Sequence, residues 1–76
     1  MKADVNTLTD AEREWVIKAT QRFRFLRPGG AQLIERPMRD AKGVLVEVHY
    51  FWADSPDMRV GRAVLTSDGR VAVDAY

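Results

Sequence analysis

Apolar residues in the first third of the chain recur at helical spacing. Leu8, Ala11, Trp15, Val16, Ala19, Phe23 and Leu26 fall within an arc of about 140° at 100° per residue. The spacing predicts an amphipathic helix over residues 10–26 with one broad buried stripe. Thr9-Asp10-Ala11-Glu12 reads as a capping box at its start, the hydroxyl accepting the Glu12 amide while the carboxylate reaches back. Pro28-Gly29-Gly30 is expected to end it, since proline cannot continue the ladder and glycine suits a left-handed cap.

Beyond the glycines the period changes to two. Ala31 to Arg36 predicts a short strand, with Pro37 confining it to a sheet edge. Gly43 to Trp52 is rich in β-branched and aromatic residues and predicts a long strand. Asp54-Ser55-Pro56-Asp57 predicts a turn, Met58 to Thr66 a third strand, Ser67-Asp68-Gly69 a three-residue hairpin loop, and Arg70 to Tyr76 a last strand. The whole chain, residues 1–76, is thus expected to be a single α+β domain. One N-terminal helix packs on a three- to four-stranded antiparallel meander.

The two loops set a register independently. The 67–69 loop pairs Leu65 with Val71, Ala63 with Val73 and Gly61 with Ala75; a four-residue 54–57 loop pairs Val46 with Leu65, Val48 with Ala63 and Tyr50 with Gly61. One face then carries only apolar, small or aromatic residues and is expected beneath the helix. Gly61, Ala63 and Ala75 leave room there for Trp15 and Phe23. The opposite face is left to solvent, with Leu45-Thr66-Arg70, Glu47-Val64-Ala72, His49-Arg62-Asp74 and Phe51-Val60-Tyr76 in rows. Its Phe51-Val60-Tyr76 row, with Val64, Ala72 and Leu45 nearby, predicts a contiguous exposed apolar surface of the kind that marks an interface. Tyr76 leaves the last strand as an uncapped edge to which another chain could pair.

Composition narrows the chemistry. The 76 residues include no cysteine and one histidine, His49, which excludes disulfides, thiolate sites and a multi-histidine metal site within one chain. No cofactor is expected. The stretch Met1 to Asn6 has no signal-like apolar region and no segment approaches a membrane span, so a cytoplasmic location is the expectation. The net charge is only +1. Residues 18–42 nevertheless hold seven basic side chains against two acids, between mildly acidic flanks. Much of this follows the helix dipole, with acids in the first turns and bases in the last.

Three constellations offer chemistry. His49 beside Asp74 and Arg62 suggests an acid–base group, but no serine, threonine or cysteine is placed as its nucleophile, so a cross-strand ion pair beside a histidine explains the trio. Trp52 is expected on the core face opposite Arg59, in a cation–π contact. Arg22, Arg24, Arg27, Arg36 and Arg39, with Phe25 off the apolar stripe, form a basic and aromatic set suited to nucleic-acid phosphates and bases.

The helix, short strand and three-strand meander ending in an Asp-Gly hairpin resemble the compact cystatin-like architecture. Glu35-Arg36-Pro37, Gly43–Val48 and Val64-Leu65-Thr66-Ser67-Asp68-Gly69-Arg70-Val71 resemble small bacterial immunity proteins of the nuclear-transport-factor-like fold, and the Gly-Arg-Val strand ending in Val73-Asp74-Ala75 is similar to PepSY domains. Both resemblances imply binding and inhibition rather than catalysis. The reading is therefore a non-enzymatic protein-binding module, an inhibitor or immunity-type protein that occludes a partner or forms a homodimer through its open sheet face. Its expected contacts are Phe51, Val60, Arg62 and Tyr76, with Val64 and His49. A nucleic-acid-associated protein using the basic helix end is the alternative.

Overall fold

Thr9 takes an extended conformation and caps the helix as its sequence requires. Its hydroxyl accepts the Glu12 N–H at 3.1 Å, and its own N–H donates to the Glu12 carboxylate at 2.9 Å. In the computed structural model, which describes residues 8–29 and 32–76, helix α1 runs Asp10–Leu26. Four strands follow: β1 Leu33–Arg39, β2 Leu45–Trp52, β3 Ser55–Leu65 and β4 Val71–Ala75. They form one antiparallel sheet in the order β1-β2-β3-β4, with α1 on one face. The chain is therefore an α+β fold. The segment 1–7 and the expected strand start at Ala31 lie outside the described residues.

Helix α1 ends two residues before Pro28, with the capping Arg27 donating its N–H to the Phe23 carbonyl at 2.8 Å. The left-handed cap expected at the glycines is not used at Gly29, because positive φ occurs, among the described glycines, only at Gly43 and Gly69. Gly29 instead serves by its size: a Cβ there would lie 3.0 Å from the Trp52 ring. Trp52 packs on this glycine and, tilted, on Phe23 at 6.1 Å. That corrects the expected Trp52–Arg59 contact, for Trp52 pairs with Ser55 and Arg59 stacks on Tyr76.

The β1–β2 and β3–β4 hairpins share one design. Asp40 donates its N–H to Val44 (2.9 Å) and Thr66 to Arg70 (2.8 Å), with Gly43 and Gly69 each at φ 84°. A left-handed residue is needed at that loop position, which glycine adopts without a Cβ clash. Side chains brace both loops: the Asp40 carboxylate accepts the Lys42 and Val44 amides, and the Thr66 hydroxyl accepts that of Arg70 and donates to Asp68, holding the Asp68 carboxyl below its usual range.

The expected register holds across the sheet centre: Val48↔Ala63↔Val73 and Tyr50↔Gly61↔Ala75. Tyr50, Val48 and Ala63 are fully buried, with Val16, Ala19 and Phe23 above them. The Phe23 ring stacks on Tyr50 at 4.4 Å, directly over Gly61. A Cβ at Gly61 would lie 2.6 Å from the Asp74 carbonyl oxygen and meet the Phe23 ring as well. The glycine thus admits the ring that joins helix to sheet.

Two irregularities change which side chains face the core. Between Met38↔Glu47 and Arg39↔Leu45 the pairing slips, turning Leu45, expected on the open face, into the core at 1% exposure. Between Tyr50↔Gly61 and Phe51↔Arg59 it slips again, and the extra residue, Val60, enters the core cluster at 5%. The β2–β3 turn is shorter than expected: Trp52 pairs with Ser55, so Ala53 and Asp54 turn the chain and Pro56 to Met58 loop out of the ladder within β3. Strand β1 is longer than expected and runs through Pro37. Gln32 and Ala53 are a bonded pair (2.8 Å), so by alternation Leu33, Glu35 and Pro37 turn their backbone groups outward. The missing proline N–H therefore costs the sheet nothing.

Polar contacts clamp the helix on both flanks. Toward β1, Arg39 grips the Glu12 carboxylate with two bonds of 2.8 and 3.0 Å, and Thr20 donates to Glu35. The Tyr50 hydroxyl meets the Thr20 hydroxyl at 3.2 Å, giving the buried phenol a route to the surface; burial raises its pKa. Toward β4, Arg22 donates to the Val71 carbonyl at 3.1 Å.

Three outcomes follow. Gly61→Ala is expected to lower unfolding stability by about 1–3 kcal/mol, because the Asp74 backbone cannot yield to the new methyl; urea unfolding measures it. Thr20→Val is expected to cost about 1–3 kcal/mol by leaving the buried Tyr50 hydroxyl without a partner, checked in the same way. The Arg39 guanidinium and then the Thr9 amide hold Glu12 down at about 2, from an ordinary 4.5. A depressed carboxyl stabilises the fold fully above the higher value and loses that contribution as pH falls toward the lower. The urea midpoint should therefore drop between pH 4.5 and 2, with Arg39→Met lowering it already at pH 6 and flattening this part of the profile.

Candidate functional site

The face of the sheet away from α1 is covered by no other element of the described residues. Alternation along the strands places three rows on it. Ile34, Phe51 and Arg59 form the first; Arg36, His49, Arg62 and Asp74 the second, one from each strand; Met38, Glu47, Val64 and Ala72 the third. Tyr76 adjoins the first row, its N–H bonded to the Val60 carbonyl at 2.9 Å.

The structure corrects the expected Phe51-Val60-Tyr76 stripe. Val60 has left for the core, as described. Phe51 keeps its place on the face but is only 8% exposed. The Arg36 guanidinium lies over its ring at 4.7 Å. Tyr76 is 53% exposed and carries the Arg59 guanidinium at 5.5 Å. Instead of an apolar stripe, the face presents two arginines resting on two aromatic rings. Cation–π contacts of this kind contribute about 0.5–1 kcal/mol at exposed sites. They also narrow the arginine's rotamer freedom before any partner arrives.

The middle row carries the charge balance. Arg62 Nη1 sits 3.6 Å from Glu47, and its Nε 3.6 Å from Asp74. The Nε is shielded from solvent yet makes no hydrogen bond, so the pairing is electrostatic and loose. His49 lies between Glu47, 3.6 Å from its Nε2, and Arg59, whose Nη1 is 3.3 and 3.5 Å from the two ring nitrogens. The carboxylate beside the histidine is thus Glu47, while Asp74 belongs to Arg62. Both acids on the face are engaged by Arg62. Arg36 and Arg59 have no carboxylate partner among the described residues.

The arginines of the nucleic-acid alternative do not converge. Arg39 is committed to Glu12, Arg27 donates to the Tyr76 carbonyl, and Arg36 lies on the far face of the sheet. Arg22, Arg24 and Phe25 remain on the exposed part of α1, with Phe25 84% exposed as its off-stripe position predicted. Sequence reasoning missed Arg59 as a site residue. It stands four before Ala63, a core position, and the inserted Val60 alone moves it to the face. No group of three or more His, Asp or Glu able to hold a metal occurs among the described residues, and no helix there is long and apolar enough to cross a membrane.

Comparison with known proteins finds no matching family model, no matching curated protein and no matching solved structure.

Proposed function

We propose that this chain is a non-enzymatic protein-binding module whose open sheet face docks on an acidic surface of a partner protein and occludes it, as an inhibitor or immunity-type protein does. The observation that carries this reading is the pair Arg36 and Arg59, held on Phe51 and Tyr76 without carboxylate partners. Arginine and tyrosine are enriched among residues that dominate binding energy, and rings beneath the guanidiniums reduce the entropy lost on docking. The contact set is accordingly Arg36, Arg59, Arg62 and Tyr76, with Phe51 as a support, Val64 and His49 beside them, and Val60 no longer included.

Charge selects a foreign partner over a second copy. Two copies face to face would oppose their arginine rows, and the available acids, Glu47 and Asp74, are already shared by Arg62. Contacts spread along two rows of a four-stranded sheet favour a surface over a small molecule.

The test uses the wild-type chain and the Arg36→Glu/Arg59→Glu pair as baits, with Phe25→Glu as the control on the helix. A partner bound by the wild type should bind the helix variant equally and the double variant at least about 10-fold more weakly, since hot-spot arginines contribute upward of about 1 kcal/mol each. Equal binding to all three chains, or a dimer in light scattering that the double variant dissolves, overturns the reading. Binding of single-stranded RNA that falls steeply between 50 and 200 mM salt and is abolished by Arg22→Glu/Arg24→Glu establishes the nucleic-acid alternative instead.

A further inference from the structure

A second surface lies at the outer edge of β4, away from the arginine-bearing face. The Thr66–Arg70 and Val60–Tyr76 backbone bonds define which residues of β4 turn inward, so Ala72 and Asp74 bond β3 while Val71, Val73 and Ala75 turn their amides and carbonyls outward. Arg22 caps the Val71 carbonyl, whereas the outward groups of Val73 and Ala75 have no partner among the described residues. This edge differs from that of β1, where Pro37 sits at an outward position and removes one donor. No proline or inward-pointing charge protects β4, and an unguarded edge is a template for another strand.

Beside this edge, α1 and the start of β4 enclose a cleft of about 500 Å³ lined by Lys18, Ala19, Arg22, Arg70 and Val71. Its apolar parts are Ala19 and Val71; its rim is three cations drawn from both walls. The acids near them are Glu14, 3.9 Å from Lys18, and Asp68, 3.5 Å from Arg70, both on mostly exposed side chains where pairing is weak. Among the described residues Arg22 has no carboxylate partner, only the Val71 carbonyl. The rim is thus net positive, and it adjoins the backbone groups that an incoming strand would use.

We infer that β4 accepts an extended acidic peptide segment as a fifth strand, with its backbone on Val73 and Ala75 and its carboxylates at Lys18, Arg22 and Arg70. Charge again chooses the occupant. A second copy of the chain pairing edge to edge would bring two such cationic rims together, whereas an alternating sequence turns its acidic side chains together toward the rim on the helix side of the sheet and the residues between them to the other side. Backbone bonds supply affinity in strand addition, and the flanking side-chain sites supply selectivity.

The probe is an alternating glutamate–valine hexapeptide, titrated into the 15N-labelled chain beside its lysine–valine counterpart. The glutamate peptide should shift the Val71, Val73 and Ala75 amides, slow hydrogen exchange at Val73 and Ala75, and bind at least 10-fold more tightly than the lysine peptide. Arg22→Glu/Arg70→Glu should reverse that preference, and N-methylation of the peptide on its edge-facing amides should abolish binding without any change to the protein. Equal affinity for the two peptides, unaltered binding of the N-methylated peptide, or no shift at β4 overturns the inference. Shifts confined to Arg36, His49, Arg59 and Arg62 overturn it too, while leaving the sheet-face reading intact. Protection of Val73 and Ala75 in a peptide-free dimer assigns the edge to a second copy and overturns it as well.

Discussion

The helix can approach the sheet because Gly61 has no side chain. The Phe23 ring occupies the space a Cβ would take and lies flat on Tyr50, and neither contact survives if the glycine moves to a neighbouring register position. The position of Phe23 along α1 then sets the rest. Ala19 and Val16 lie one and two turns earlier on the same stripe and meet the remaining core residues, while Trp52 closes the end of the core against Phe23 and Gly29. Dispersion and burial concentrated at one crossing point suit a domain this small, whose core has few residues to distribute them over.

Directional bonds complete what packing begins. A nearly isotropic aromatic stack does not by itself fix the rotation of a helix over a sheet. The two flanks of α1 do so: Glu12 and Thr20 reach β1 through Arg39 and Glu35, and Arg22 reaches β4 through the Val71 carbonyl. Each flank also shapes a surface. The β1 clamp withdraws Arg39 from solvent chemistry, and the β4 clamp leaves a cationic cleft beside a strand edge that no other described element pairs with.

The sheet face that no other described element covers shows how charge and aromatic surface are reconciled. Phe51 would be a liability in water; Arg36 lies across it and supplies a charge in its place. Tyr76 and Arg59 repeat the arrangement at the other side, and Arg62 gathers both acids between them. What remains for the proposed docking is two positive, ring-supported groups, which is why electrostatic complementarity rather than apolar area governs it.

Much of this architecture was legible in the chain. Local chemistry wrote the helix limits, since the Thr9–Glu12 capping box and the stop at Pro28 need only residues adjacent in sequence. Period-two alternation, with small residues at Gly61 and Ala63, wrote the central register, because a one-residue slip would have turned Tyr50 and Val48 to water. The exposed Phe25 followed from its angle on the helix. What the alternation could not reveal was where it breaks. The slips beside Leu45 and Val60 arise from fitting three strands and two turns to one another, the short Ala53-Asp54 turn demanding that β3 absorb extra residues. Each slip reverses the faces beyond it, so Val60 went inward, Arg59 came outward, and an apolar stripe became an arginine platform. The sequence by itself determined the elements, their order and their core register. Only the tertiary structure decided which side chains the open face of the sheet carries, because a bulge is a property of paired strands and has no signature in either strand alone.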